Sequence, residues 1–353
     1  MAISRRQFLT VAGSGLALSF LNSPGGAAWA SVRGIRPVSP INIIVPRDYQ
    51  PPIAGDTRNY QFKLVRASLS YLEDEYSVRS LPVWGKPFGA VDLEKRVTNI
   101  VYWVMKAVKA HLNIYPLDPA WIVAQIMKES YFYEFAISSA LAIGICQFIQ
   151  PTAKSHGILC AGDRAAHGKS PYKYPRLAKK VREYYQLKRE RRRYAKSKKP
   201  SPELTQQKAV QLIASGKTTG YQKTAQAHLA YWKKIAEYDK KVTRARDQYR
   251  QYLQANIQGK DIFNNRDLQA ILNFDERFTY RKPVFAMVEM IARGLRSRKG
   301  NILAASVGFN AGLSSTKDFG AYEPYGQIPA IEQATTYISH VLINHYEITR
   351  RME

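Results

Sequence analysis

Asp118-Pro119-Ala120-Trp121-Ile122-Val123-Ala124-Gln125-Ile126-Met127-Lys128-Glu129-Ser130-Tyr131-Phe132 is the stretch whose reading decides the fold. Asp118 is a good N-cap, and Pro119 takes the first helical position, where its missing N–H costs nothing. The apolar run behind them predicts a helix that ends at about Glu129 or Ser130. Upstream, Val97, Ile100, Val101, Val104, Met105, Val108 and Leu112 recur at helical spacing, so a helical domain starts near Asp92. Further helices are expected from Thr152 and over 284–296, 303–310 and 331–346. No long alternating pattern competes with them, and the predicted fold class is all-α.

Outward from this core the composition changes twice. Six prolines between Ser31 and Lys86 (37, 40, 46, 51, 52 and 82) fix φ and remove donors, so residues 31–91 read as an extended N-terminal strap with one helix near 60–76. Residues 163–261 are rich in Lys, Arg, Gln and Tyr and include the run Lys188-Arg189-Glu190-Arg191-Arg192-Arg193. Within them Trp232, Ile235, Tyr238, Val242, Ala245, Tyr249 and Tyr252 are spaced by threes and fours. Leu177, Val181, Tyr184 and Leu187 repeat the pattern, and Pro200, Pro202, Gly216 and Gly220 mark a turn region. The simplest architecture is a long basic helical hairpin inserted between the two parts of one helical domain, 92–162 and 262–353.

At 353 residues, 45% hydrophobic and 23% charged, the chain can bury a core in one or two domains, which excludes disorder throughout. A formal charge of +26 points to an anionic partner. Ser4-Arg5-Arg6-Gln7-Phe8-Leu9-Thr10 looks like a twin-arginine export motif, and Ala28-Trp29-Ala30 offers small residues for cleavage before Ser31. Residues 1–30 are therefore expected to be a signal peptide and the mature protein periplasmic. Losing Arg5 and Arg6 takes +26 to +24, so the basicity belongs to the folded protein, and outside the cytoplasm nucleic acid is not an expected partner. Cys146 and Cys160 lie fourteen positions apart, and a disulfide and a pair of buried thiols are both open. No Cys/His cluster has metal-ligand spacing, so no metal is predicted.

The stretch from Asp118 to Ala153 resembles the soluble lytic transglycosylase (SLT) domain. That family's signature is Glu-Ser-x-Phe, then Ala-x-Ser, Gly-Ala-x-Gly-Leu-Met-Gln and Met-Pro-x-Thr-Ala. Glu129, Ser130, Phe132, Ala136, Ser138, Ala142, Gly144, Gln147, Thr152 and Ala153 fall in register with it. Asn273-Phe274-Asp275 and Ala304 to Gly312 look like a second block of the family, and Glu332 to Ile338 like a third in which Tyr337 is retained. The departures are Leu141 for a Gly, Cys146 for a Met, Gln150 for a Pro, Phe309 for a Tyr and Gln333 for a Glu, with Glu332 beside it.

The resemblance implies a lysozyme-like domain that cleaves the β-1,4 bond between N-acetylmuramic acid and N-acetylglucosamine of peptidoglycan without a cofactor. It implies Glu129 as the single catalytic acid and base, Ser138 and Gln147 as contacts to N-acetyl and saccharide groups, and Asn310 and Tyr337 as residues that shape the site. The chemistry asks for such a Glu, because a glycosidic oxygen leaves only when a carboxylic acid protonates it. A helix C-terminus and the neighbours Ile126, Met127 and Phe132 are expected to raise the Glu129 pKa toward working pH. Glu134, the nearby acid in the block, reads as a solvated surface residue. In the family the substrate supplies the second group: its N-acetyl group stabilises the sugar cation and its 6-hydroxyl attacks, giving a 1,6-anhydro end. A goose-type lysozyme using water and a non-catalytic wall-binding scaffold are the alternatives. The basic hairpin suits an anionic wall polymer, a membrane surface or an acidic protein, or serves as a solvated coat, with its Tyr/Trp seam as hairpin core.

Overall fold

The computed structural model describes residues 43–53, 57–164, 171–201, 203–317 and 325–353. The signal-peptide reading of residues 1–30 lies outside the described residues. The fold is all-α, and among the described residues the strands are one two-residue antiparallel pair. The chain divides at 160/161 and 260/261 into two compact units.

In the first unit, α1 (Thr57–Tyr76) leads to a hairpin of β1 (Ser80–Leu81) and β2 (Lys86–Pro87), then to α2 (Leu93–His111), α3 (Pro119–Ser130) and the short α4 (Gln150–Ser155). After residue 260 come α8 (Asn265–Phe274), α9 (Arg281–Ser297), α10 (Ile302–Ala311) and α11 (Glu332–Arg350). The helix expected near 60–76 does more than interrupt a strap. Leu64, Val65, Ala67 and Leu72 of α1 enter the same core cluster as α2, α3 and α9, and α1 packs on both α2 and α11. Burial of such a face contributes about 1.5–3 kcal/mol per large side chain.

α3 is the element that organises the unit. The Asp118 carboxylate accepts from the Ala120 N–H at 2.9 Å, the capping bond read from the sequence. The helix is buried nearly all round and packs on α2 and α11. Its pairing with α11 is antiparallel: Tyr337 meets Glu129, Asn344 Nδ2 donates to the Ala124 carbonyl at 3.1 Å, and His345 meets Asp118 at 2.9 Å.

The second unit, Ala161–Lys260, holds α5 (Lys180–Ser197), α6 (Gln206–Ala214) and α7 (Gln222–Ile257). α5 and α7 run antiparallel, as Lys173 with Asn256, Arg191 with Asp239 and Tyr194 with Tyr231 show. Val181 and Tyr184 of α5 and Ala245, Tyr249, Tyr252 and Leu253 of α7 are buried. Two expectations need correcting here. The turn region contains a helix of its own, α6, because Thr205 caps it, accepting from Lys208 N–H at 3.1 Å. Trp232 is also half exposed and leaves the seam, because Tyr231, one position earlier, takes the place against α5, stacking on Tyr194 and donating its hydroxyl to the Ala195 carbonyl at 3.2 Å.

Candidate functional site

Glu129 is the next-to-last residue of α3 and half-buried. Beyond it the chain bends sharply: Tyr131 (φ 49°) and Phe132 (φ 63°) both occupy the left-handed region, at a cost of about 1–2 kcal/mol each. Tertiary bonds hold this turn. Trp84 Nε1 donates to the Tyr131 carbonyl at 2.8 Å, and Phe132 is fully buried. Strain held in place by surrounding structure is typical of functional positions.

The loop 136–148 then folds on itself through two short bridges, Ile137 with Ile143 and Ile143 with Phe148. Ser130 Oγ donates to the Ile145 carbonyl at 3.0 Å and so ties the end of α3 to this loop. Ser138 Oγ accepts from the Ala140 and Ala142 N–H groups at 3.2 and 3.0 Å. Gln147 is buried, with φ 49°, and its Nε2 donates to the Gly144 carbonyl at 2.9 Å. Both side chains therefore brace the loop in this structure. Leu141, which stands where the resembled pattern has Gly, retains a positive φ of 61° and buries its side chain completely. The departure keeps the glycine-like backbone, and burial of the leucine offsets its strain.

Beneath the loop lies a buried turn. Gly144 (φ +77°) approaches Arg277 so closely that a Cβ would meet the Arg277 carbonyl oxygen at 1.8 Å. Arg277 and Asp275 are wholly buried and paired, Nε to Oδ1 at 2.9 Å and Nη2 to Oδ2 at 2.6 Å. The two-point geometry supplies the satisfaction that buried charges require.

From the opposite side Tyr337, on α11 and nearly buried, donates its hydroxyl to Glu129 Oε1 at 3.0 Å. Two of the residues singled out from the sequence, Tyr337 and Glu129, are thus brought into direct contact. Asn310 lies half-buried in the last turn of α10, and Phe309 packs edge-on against Phe148 with ring centroids 5.7 Å apart. α10 is keyed to α3 by Trp121 Nε1, which donates to Ser306 Oγ at 2.8 Å.

The reading of Glu134 as a solvated surface acid is overturned. Its side chain is 0% exposed and accepts from Arg96, with Nε 3.0–3.1 Å from both oxygens and Nη2 2.8 Å from Oε1. Arg96 also lies over the rings of Trp84 and Phe263, at 5.2 and 5.3 Å. Asp118 is likewise engaged. Burial alone would raise its pKa, but His345, the Ala120 N–H and Tyr60 outweigh it and hold the carboxyl below its ordinary range. Of the three acids between residues 118 and 153, two are thus committed to structural bonds, while Glu129 stands at the half-exposed helix end.

Sequence reasoning missed Arg96 and Arg277 as supports of this site, and it placed Asp275 in a resembled block without its pairing to Arg277; an Asp two residues before an Arg is too common a pattern to announce that pairing. Cys146 and Cys160 are buried thiols, and among the described residues no group of His, Cys, Asp and Glu could hold a metal ion.

An all-α unit with one carboxylate at the end of a buried helix and a braced loop beside it defines the class of site. Residues 106–170 match the model of the transglycosylase SLT domain, which supports a transglycosylase-type enzyme acting on peptidoglycan. Among curated proteins and among solved structures, none matches this chain.

Proposed function

We propose that the chain is a lytic transglycosylase that cleaves the β-1,4 bond between N-acetylmuramic acid and N-acetylglucosamine and leaves a 1,6-anhydro end. The observation that carries this reading is Glu129, half-exposed at the end of α3 and bonded to Tyr337, while Asp118 and Glu134 are engaged elsewhere. In the proposed cycle the Glu129 carboxylic acid gives its proton to the glycosidic oxygen as the C1–O bond breaks. The N-acetyl group stabilises the cation. The Glu129 carboxylate then takes the proton of the 6-hydroxyl as that oxygen bonds to C1, and the acid is restored. Tyr337 orients the carboxyl, and Ser138, Gln147 and Asn310 line the saccharide path. The braced loop keeps this arrangement preorganised, which is where such sites gain rate. The same reading puts the mature protein in the periplasm, exported by the twin-arginine pathway.

Mass spectrometry of soluble products from peptidoglycan sacculi, with Glu129→Gln alongside, tests the proposal. Anhydro-muropeptides from the parent alone are expected. Reducing-end products would mean hydrolysis by water, and lysis retained in Glu129→Gln would remove this residue from the chemistry.

A further inference from the structure

The turn end of the second unit carries a surface that glycan cleavage does not use. α6 buries none of its residues and presents Val210 and Ile213, 64% and 70% exposed, three positions apart. α7 presents Leu229 and Trp232 with the same spacing, 61% and 51% exposed. The connection holding α6 is fastened to the first turns of α7. The Leu204 N–H donates to His228 Nε2 at 3.3 Å, Lys208 Nζ lies 5.7 Å from the Tyr221 ring, and the Trp232 ring is 5.6 Å from His228. Both apolar pairs therefore belong to one tip. At the helical rise of 1.5 Å per residue, Leu229 lies about 40 Å along α7 from Ile257. Four large apolar side chains gathered at a tip in water mark an interaction surface.

The charge around them selects the partner. Between residues 198 and 234 the chain has seven lysines, no arginine and a single acid, Glu203, and that acid is bonded to Lys199 at 2.7 Å. Lysine stems can lie along apolar surface while their ammonium groups reach phosphate, and tryptophan suits the boundary between lipid and water. No helix among the described residues is long and apolar enough to cross a membrane.

We propose that this tip docks on a bilayer surface rich in anionic phospholipid, with Val210, Ile213, Leu229 and Trp232 entering the headgroup region and the lysines on the phosphates. A soluble polyanion would engage the lysines and leave the four apolar side chains in water, so those side chains favour the bilayer. Docking of this kind does not depend on glycan cleavage.

Co-sedimentation of the full chain with phosphatidylcholine vesicles, with and without about 30% phosphatidylglycerol, tests it, beside binding to soluble poly(glycerol phosphate). Binding to the anionic vesicles, weaker binding to the neutral ones and loss at high salt are expected. The variant Val210→Ser/Ile213→Ser/Leu229→Ser/Trp232→Ser keeps every charge. It should bind anionic vesicles about tenfold or more weakly while binding poly(glycerol phosphate) like the parent. The single variant Trp232→Ser, checked by circular dichroism, should fall in the same direction if the quadruple variant misfolds. Vesicle binding unchanged in both variants, equal binding to neutral vesicles, or parent binding to the polyanion but not to vesicles would each overturn the proposal. The last would make an anionic polymer the partner.

Discussion

Gly144→Ala tests the scaffold under the candidate site. The new methyl carbon would lie 1.8 Å from the Arg277 carbonyl oxygen and 2.9 Å from its carbonyl carbon. Non-bonded heavy atoms settle about 3.5 Å apart, so the two backbones must separate by well over an ångström. Neither side yields easily: the Gly144 N–H bonds the Ala136 carbonyl at 2.9 Å, and Arg277 is held in its buried pair with Asp275. The positive φ adds about 1–2 kcal/mol, overpacking about 1–3 kcal/mol, and a disturbed buried hydrogen bond about 1–3 kcal/mol. Together these predict a loss of about 3–8 kcal/mol. Gly157→Ala is the control, because φ is +66° there and nothing lies within 4 Å of the added carbon, leaving only the backbone term of about 1–2 kcal/mol. Urea denaturation of the full chain followed by far-UV circular dichroism measures both. Equal destabilisation of the two variants would refute the close-approach argument.

Tyr337→Phe removes the hydroxyl bonded to Glu129 and should lower kcat for muropeptide release about 10- to 100-fold, the worth of a hydrogen bond to a charged group. Its midpoint of unfolding should stay close to the parent's, and a parent-like rate would exclude the positioning role. Arg96→Ala leaves the buried Glu134 carboxylate without its counter-ion and should destabilise by about 3–5 kcal/mol in urea unfolding; Arg96→Ala combined with Glu134→Gln should recover part of that loss. Asp118 supplies the pH dependence. Its folded pKa is depressed, so its stabilisation is complete above the ordinary carboxylate pKa and is lost as pH falls toward the lower folded value. Thermal unfolding of Asp118→Asn should therefore be less stable than the parent near neutrality and should converge on it in acid. A gap that is constant with pH would contradict this.

Much of the helical scaffold is legible in the sequence because its signals are local. Asp118, Pro119 and the apolar run define α3 within one stretch, and the 3.6-residue period marks α2, α9 and α11 without reference to any partner. The short spacing from Glu129 to Gln147 is also local, which is why the resemblance could be drawn from it. Glu134 shows the limit: nothing in its neighbourhood announces Arg96, 38 positions earlier, and an acid next to a turn ordinarily faces water. Trp232 shows the reverse, a residue whose spacing fits a seam but whose place against α5 is taken by its neighbour Tyr231.

Helix positions, the basic insertion and the identity of the candidate acid come from short-range chemistry: capping, periodicity and motif spacing, each complete within a few turns of chain. Only the tertiary structure decides that Tyr337 reaches Glu129 across 208 residues, that Gly144 has no room for a methyl group, and that Leu141 keeps a glycine's backbone angle. Those outcomes depend on which surfaces the packed helices bring within bonding distance, and the sequence carries no periodicity for such pairings.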